Sequence, residues 1–135
     1  MKPLTAALVL SMSAILIACA TPSPPLVTTL GADPAAAKHN AEGIEHYNMG
    51  HWDVAKGHFG AAIKADPKAA EAHYNLALAL HQLGAHAEAT THFKEAAKLA
   101  PTNMAITDSS AYWRHVESPR SSGMYGGGYG GMWGY

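Results

Sequence analysis

Nine histidines and one cysteine are the side chains of this 135-residue chain best suited to metal or covalent chemistry. Neutral imidazole is the commonest protein metal ligand. His39, His46, His51, His58, His73, His81, His86, His92 and His115 are far more than so small a domain usually carries. Two histidines share an ion on one helix when they stand three or four residues apart. Here the spacings include seven (His39/His46 and His51/His58), five (His81/His86) and six (His86/His92), and none is three or four. His39/His73 and His58/His92 stand 34 residues apart, which puts them in successive helical units, about 10 Å from one another at ordinary packing distance. His39 and His73 therefore read as packed between helices. Spacing argues against one dedicated site, and no metal or cofactor is expected. Met124 and Met132 add soft thioether donors for Cu(I) at most. Catalysis has less support still. There is no Gly-rich phosphate loop, no zinc motif and no Ser-His-Asp arrangement. Glu42, Glu45 and Glu71 read as solvated helix charges, and the chain reads as a non-enzyme.

Cys19 has no second cysteine to pair with, so it forms no intramolecular disulfide. Its surroundings suggest another use. Met1 and Lys2 make a short positive start, and residues 4–18 form a 15-residue apolar stretch. That is shorter than the roughly 20 residues needed to span a bilayer, and it fits the apolar region of a secretory signal over residues 1–18. The stretch ends in Leu16-Ile17-Ala18-Cys19, which resembles the bacterial lipobox. The resemblance implies thioether lipidation of Cys19, cleavage before it, and acylation of the new amino terminus. Sulfur is the nucleophile that takes the lipid. Several acyl chains anchor more firmly than one, at about 0.8 kcal/mol per buried CH₂. Ala20 stands where an Asp would resemble an inner-membrane retention signal. This favours the outer membrane, facing the periplasm. Pro22, Pro24 and Pro25 stiffen residues 19–32 into an extended spacer expected to hold the folded part off the membrane.

The elements that must position the histidines come from a 34-residue internal repeat. Gly50, Ala55, Phe59, Ala62 and Pro67 recur as Gly84, Ala89, Phe93, Ala96 and Pro101. A period of this length belongs to a helix–turn–helix unit that stacks on copies of itself. Asp33 is suited to cap a first helix with Pro34 in its first turn; Gly50 is a natural left-handed stop. The pattern predicts helices ending near residue 49, over 52–65, over 67–83, over 86–100 and, more weakly, over 103–117. No stretch alternates in strand fashion, so the folded part, 33–117, is all-α.

Across these residues the chain resembles the tetratricopeptide repeat (TPR) family. The unit 70–103 carries Leu76-Ala77 where the family has Leu-Gly, followed by Ala89, Phe93, Ala96 and Pro101. The unit 36–69 matches through Gly43, Gly50, Trp52, Ala55, Phe59, Ala62 and Pro67. His39 and His73 stand where the family favours Trp, and His46 and Leu80 where it favours Tyr. The resemblance implies two repeats plus a capping helix over 103–117, a short right-handed α-solenoid. Gly43 with Ala55, and Ala77 with Ala89, would let paired helices approach closely. Phe59 and Phe93 would fill the gap between units. Such stacks usually want three or more units, so a solvating cap or a second copy, as in a homodimer, would complete this one.

By the same resemblance the first helix of each unit lines an inner groove: Asn40, Ile44, Tyr47 and Asn48, then Tyr74, Leu78, His81 and Gln82, with Tyr112 and His115 extending it. This neutral set of aromatics and amides suits an extended peptide or an amphipathic helix. It lacks the Lys-Asn pairs of carboxylate-clamp members. The function implied is a lipid-anchored envelope adaptor that captures an as yet unidentified envelope protein or peptide. The alternative is a His-rich copper- or zinc-binding lipoprotein. The formal net charge is −1, with no basic patch, which argues against nucleic acid as a partner. Residues 118–135, rich in Gly and Tyr, read as a disordered tail.

Overall fold

The computed structural model describes residues 23–28 and 33–116. Six helices make up the folded part: α1 Pro34–Asn48, α2 Trp52–Ala65, α3 Ala70–Gln82, α4 His86–Leu99, α5 Met104–Thr107 and α6 Ser110–Val116. Among the described residues there is no strand, and no helix is long and apolar enough to cross a membrane. The signal stretch 1–18, Cys19 and the tail 118–135 lie outside the described residues.

Local chemistry sets the helix ends. Asp33 Oδ1 accepts from the backbone N–H groups of Ala35 and Ala36 at 2.8 and 3.1 Å, and Pro34 follows it as the first helical residue. Each first helix ends at a glycine held left-handed, Gly50 at φ 77° and Gly84 at φ 78°. Around Gly50, His51 N–H donates to His46 C=O and Gly50 N–H to Tyr47 C=O; around Gly84 the same pair of bonds joins Ala85 to Leu80 and Gly84 to His81. This closure satisfies carbonyls that the helix end would leave orphaned, at a φ that glycine tolerates best. Between units, Asp66–Ala69 form a turn rather than opening α3 directly. Asp66 Oδ1 accepts from Lys68 N–H at 2.9 Å, and Asp66 C=O from Ala69 N–H at 3.1 Å. Helix α3 therefore begins three residues after Pro67.

Helix α1 pairs with α2, α3 with α4, and α2 with α3 across the units. Ala55, Ala62, Ala77, Ala89 and Ala96 are fully buried at these contacts. Gly43 lies directly against the Phe59 ring: a Cβ there would sit 2.5 Å from Cε1 and 2.6 Å from Cδ1. Phe59 thus fills space against α1 of its own unit, and it shares one core cluster with Tyr74, Ala77 and Phe93 of the next. Phe93 meets Tyr74 edge-on at 5.5 Å within its unit and stacks at 5.1 Å on His115 from α6. One core cluster runs from Tyr47 on α1 to Ile106 on α5, with Leu26 packed against it. Helix α3 is buried on every side from Ala70 to Leu80, because α1, α2 and α4 all pack on it. Glu71 is therefore buried, contrary to its reading as a solvated charge.

The capping helix expected over 103–117 is broken in two. Asn103 Oδ1 caps α5 through Ala105 N–H at 3.1 Å. Ser109 Oγ then accepts from Tyr112 N–H at 3.1 Å and starts α6 afresh. Short polar side chains such as Asn103, Asp108 and Ser109 offer the backbone partners other than helical carbonyls, which divides a weakly periodic segment. The proline-bearing segment also departs from a free spacer, since its middle, residues 23–28, is docked on the helices.

The contact at Gly43 yields a stability prediction. Alanine is the better helix former by about 1 kcal/mol, yet the Phe59 ring is fully buried and has no room to yield. Gly43→Ala should destabilise the domain by roughly 1–3 kcal/mol, the usual cost of overpacking. Thermal unfolding measures it, and a raised Tm would show that α1 and α2 are not in such close approach.

Candidate functional site

Two neighbouring buried amides form the polar centre of the inner groove. Asn40 on α1 and Asn75 on α3 are 1% and 0% exposed, and both address the backbone of Leu26. Leu26 N–H donates to Asn75 Oδ1 at 2.7 Å. Leu26 C=O accepts from Asn75 Nδ2 at 2.6 Å and from Asn40 Nδ2 at 2.9 Å. The second proton of Asn75 Nδ2 goes to Asn40 Oδ1 at 2.8 Å. Asn75 thus treats Leu26 as a β-ladder neighbour would, taking its N–H and supplying a donor to its C=O. Among the described residues no buried side-chain N or O lacks a partner.

The docked segment reaches beyond the amide pair. Ser23 Oγ lies 3.2 Å from Ser110 Oγ on α6. The Tyr74 hydroxyl is raised above its usual pKa by burial, with hydrogen bonds to Ser109 and Ser23 lowering it in part. Residues 23–28 therefore cross from α6 over α3 to α1. The strap is suited to this path because Pro24 and Pro25 favour an extended backbone and lack the N–H groups that would need partners.

Of the groove residues expected from sequence, Asn40 is central, and Tyr47 and Gln82 join through Gln82 Nε2 donating to Tyr47 Oη at 3.3 Å. Tyr74 and Leu78 are core, 1% and 2% exposed. Asn48 is exposed, while Ile44 and Tyr112 are half-buried against the core cluster. His81 and His115 turn to a different cluster. Asn75, which makes the most bonds to the strap, was not among the expected residues. Its one sequence signal is an amide set 35 residues after Asn40, close to the repeat period.

The nine histidines gather in three groups. In the first unit, Glu42 Oε2 lies 3.2 Å from His39 Nδ1 and 3.2 Å from His58 Nδ1. His46 stacks on His58 at 5.3 Å and approaches His51 at 5.7 Å. In the second unit, His73 Nδ1 meets His92 Nδ1 at 3.1 Å, and His73 Nε2 meets Pro67 C=O at 3.2 Å. His73 is thus packed between helices as expected, while His39 is half-exposed. The pairs His39/His58 and His73/His92 are repeat-equivalent contacts between the two helices of one unit. In the third group His81, His86 and His115 converge from α3, α4 and α6. Burial, then the neighbouring His86 and Arg114, pull His81 below its usual pKa. Burial, then His81 and His86, pull His115 down to about 4.

His92 is also pulled down, by burial first and then by His73, while Glu88 and Glu95 act in the opposite sense. Its folded pKa lies below the unfolded value, so the unfolded chain binds the proton more readily. Stability is then lost as pH falls through the unfolded value near 6.5. The metal-free protein should show a Tm that declines from pH 7.5 to pH 5, and His92→Gln should decline less steeply. Parallel curves for the two proteins would mean that His92 titrates alike folded and unfolded.

The described geometry has a counterpart among known families. Residues 40–103 match the family model described as Tetratricopeptide repeat. No curated protein and no solved structure matches the chain. The matched span runs from Asn40, in the groove, to Asn103, at the start of α5, and contains the glycine-closed turns and alanine-lined helix pairs described above. Residues 40–103 of this chain form tetratricopeptide repeats.

Proposed function

We propose that this protein is a lipid-anchored adaptor of the bacterial cell envelope, held at the outer membrane through Cys19 and facing the periplasm, whose groove takes an extended segment of a protein partner. The repeat supports a role in protein–protein interaction in general, and repeats of this kind are typically non-catalytic scaffolds. The observation that carries the finer reading is the Asn40–Asn75 clamp on Leu26. It recognises a peptide unit through its backbone and leaves selectivity to the neighbouring side chains, a division common in extended-peptide recognition.

The chain's own strap supplies the model for the ligand: an apolar residue following prolines, which enters the groove already extended and so at low entropic cost. A partner segment of that kind would exchange with residues 23–28. The strap belongs to the same linker as Cys19, so exchange would free the stretch between anchor and domain. The anchor itself rests on the lipobox resemblance.

Two experiments test this reading. Cys19→Ala should move the protein from the membrane fraction to the soluble fraction; unchanged membrane retention would remove the lipid anchor. A photo-crosslinking residue at Asn48, exposed on the groove rim, should give a discrete adduct with one envelope protein in cells. That adduct should disappear when Asn40 and Asn75 are both alanine, with helicity preserved. The double substitution should also cost about 1–3 kcal/mol for each Leu26 backbone group left unpaired. An adduct indifferent to both amides would show that the clamp plays no part in capture.

A further inference from the structure

The cluster of His81, His86 and His115 is unused by the groove and has the arrangement of a metal-binding site. One ring nitrogen from each residue lies within 4.8 Å of the other two. The closest pair, His115 Nε2 and His81 Nδ1, is 2.9 Å apart. Ring centroids are 4.9 Å (His81/His115), 5.2 Å (His81/His86) and 5.5 Å (His86/His115). Two imidazole nitrogens bound at about 2.0–2.1 Å to one tetrahedral ion stand roughly 3.3 Å apart. The observed separations, from 2.9 Å to at most 4.8 Å, bracket that value, and His86 is exposed, so its side chain is free to adjust.

From these positions we infer that His81, His86 and His115 bind a divalent transition-metal cation of the zinc class, with its fourth position left to water or an incoming ligand. Three imidazoles with no carboxylate or thiolate select a borderline cation over calcium or magnesium. The His115 ring is held for the task. Thr90 Oγ1 lies 3.3 Å from its Nδ1, and Phe93 stacks on its face at 5.1 Å, leaving Nε2 to face His81. Support of this kind fixes a ligand's orientation and tautomer. Arg114 is the opposing charge, and it is exposed.

The turn geometry explains why a five-residue spacing works here. Gly84, at φ 78°, reverses the chain between His81 and His86, so the two rings face each other across a turn instead of diverging around a helix. His115 then arrives from α6. The ion would tie the cap to both helices of the second unit and strengthen a stack that has only two full units. The trio His39, Glu42 and His58 provides the control. Its side chains are 39%, 36% and 28% exposed, and it already contains its own charge partner.

Zinc titration of the tag-free, chelator-stripped full-length chain at pH 7.5, by calorimetry with a parallel Tm measurement, tests the site. Zn(II) should bind saturably and raise the Tm. His86→Gln is the informative variant because residue 86 is exposed and its replacement leaves the core intact. It should weaken binding by about 100-fold or more, beyond the roughly 10–100-fold that loss of a supporting contact costs, and abolish the Tm rise with helicity unchanged. His58→Gln should leave that binding in place. Absence of binding, equal affinity in His86→Gln, or loss in His58→Gln instead would each overturn the assignment.

Discussion

The close approach of paired helices is the constraint on which the rest of this structure depends. It is possible because the facing positions are glycine or alanine: Gly43 under Phe59, and Ala55, Ala77 and Ala89 with no exposed surface. Small residues there let a large ring from one helix lie on the backbone of the other. Packing of this density fixes which side chains oppose one another and leaves little slack for rearrangement. The histidine pairs follow from it. His39 meets His58, and His73 meets His92, because both pairs sit on the two helices of one unit and are carried together by the same contact.

A stack of two units should leave its inner face bare. Here the strap 23–28 and the divided cap supply cover. Helix α3, in the middle, is enclosed by its neighbours, and its Asn75 is spent on the backbone of Leu26. A buried amide left without partners would be costly, so the groove's composition demands a peptide unit as occupant, its own or another's. The groove is neutral and rich in amides, and the ligand it defines is an extended backbone rather than a charged terminus.

The histidines show how one residue type serves several ends in a small domain. Glu42 gives His39 and His58 an ion-pair setting near the surface. His73 satisfies a turn carbonyl at Pro67. His81, His86 and His115 face one another, with the Thr90 hydroxyl and the Phe93 ring holding His115, an arrangement that charge pairing does not account for.

The sequence by itself determined the helices and the close contacts. The 34-residue period, the two stopping glycines, Asp33-Pro34 and the recurring alanines are local signals, readable because capping and helix pairing depend on residues near in sequence. They place α1, α2 and α4 within a residue or two of their observed ends. The break in the cap was less legible because the weak helical periodicity of 103–117 masked a second local cap, Ser109 Oγ accepting from Tyr112 N–H. The site was decided by tertiary structure. Leu26 and Asn75 are 49 residues apart, and nothing in a proline-rich spacer announces that its backbone will be clamped. The rule of three or four residues for histidine pairs holds along one helix. It fails across a left-handed glycine turn, where His81 and His86 meet, and between helices, where residues 34 apart such as His81 and His115 come within 2.9 Å. Periodicity fixes which face a side chain takes on its own helix; only the packing of helices fixes which face it meets.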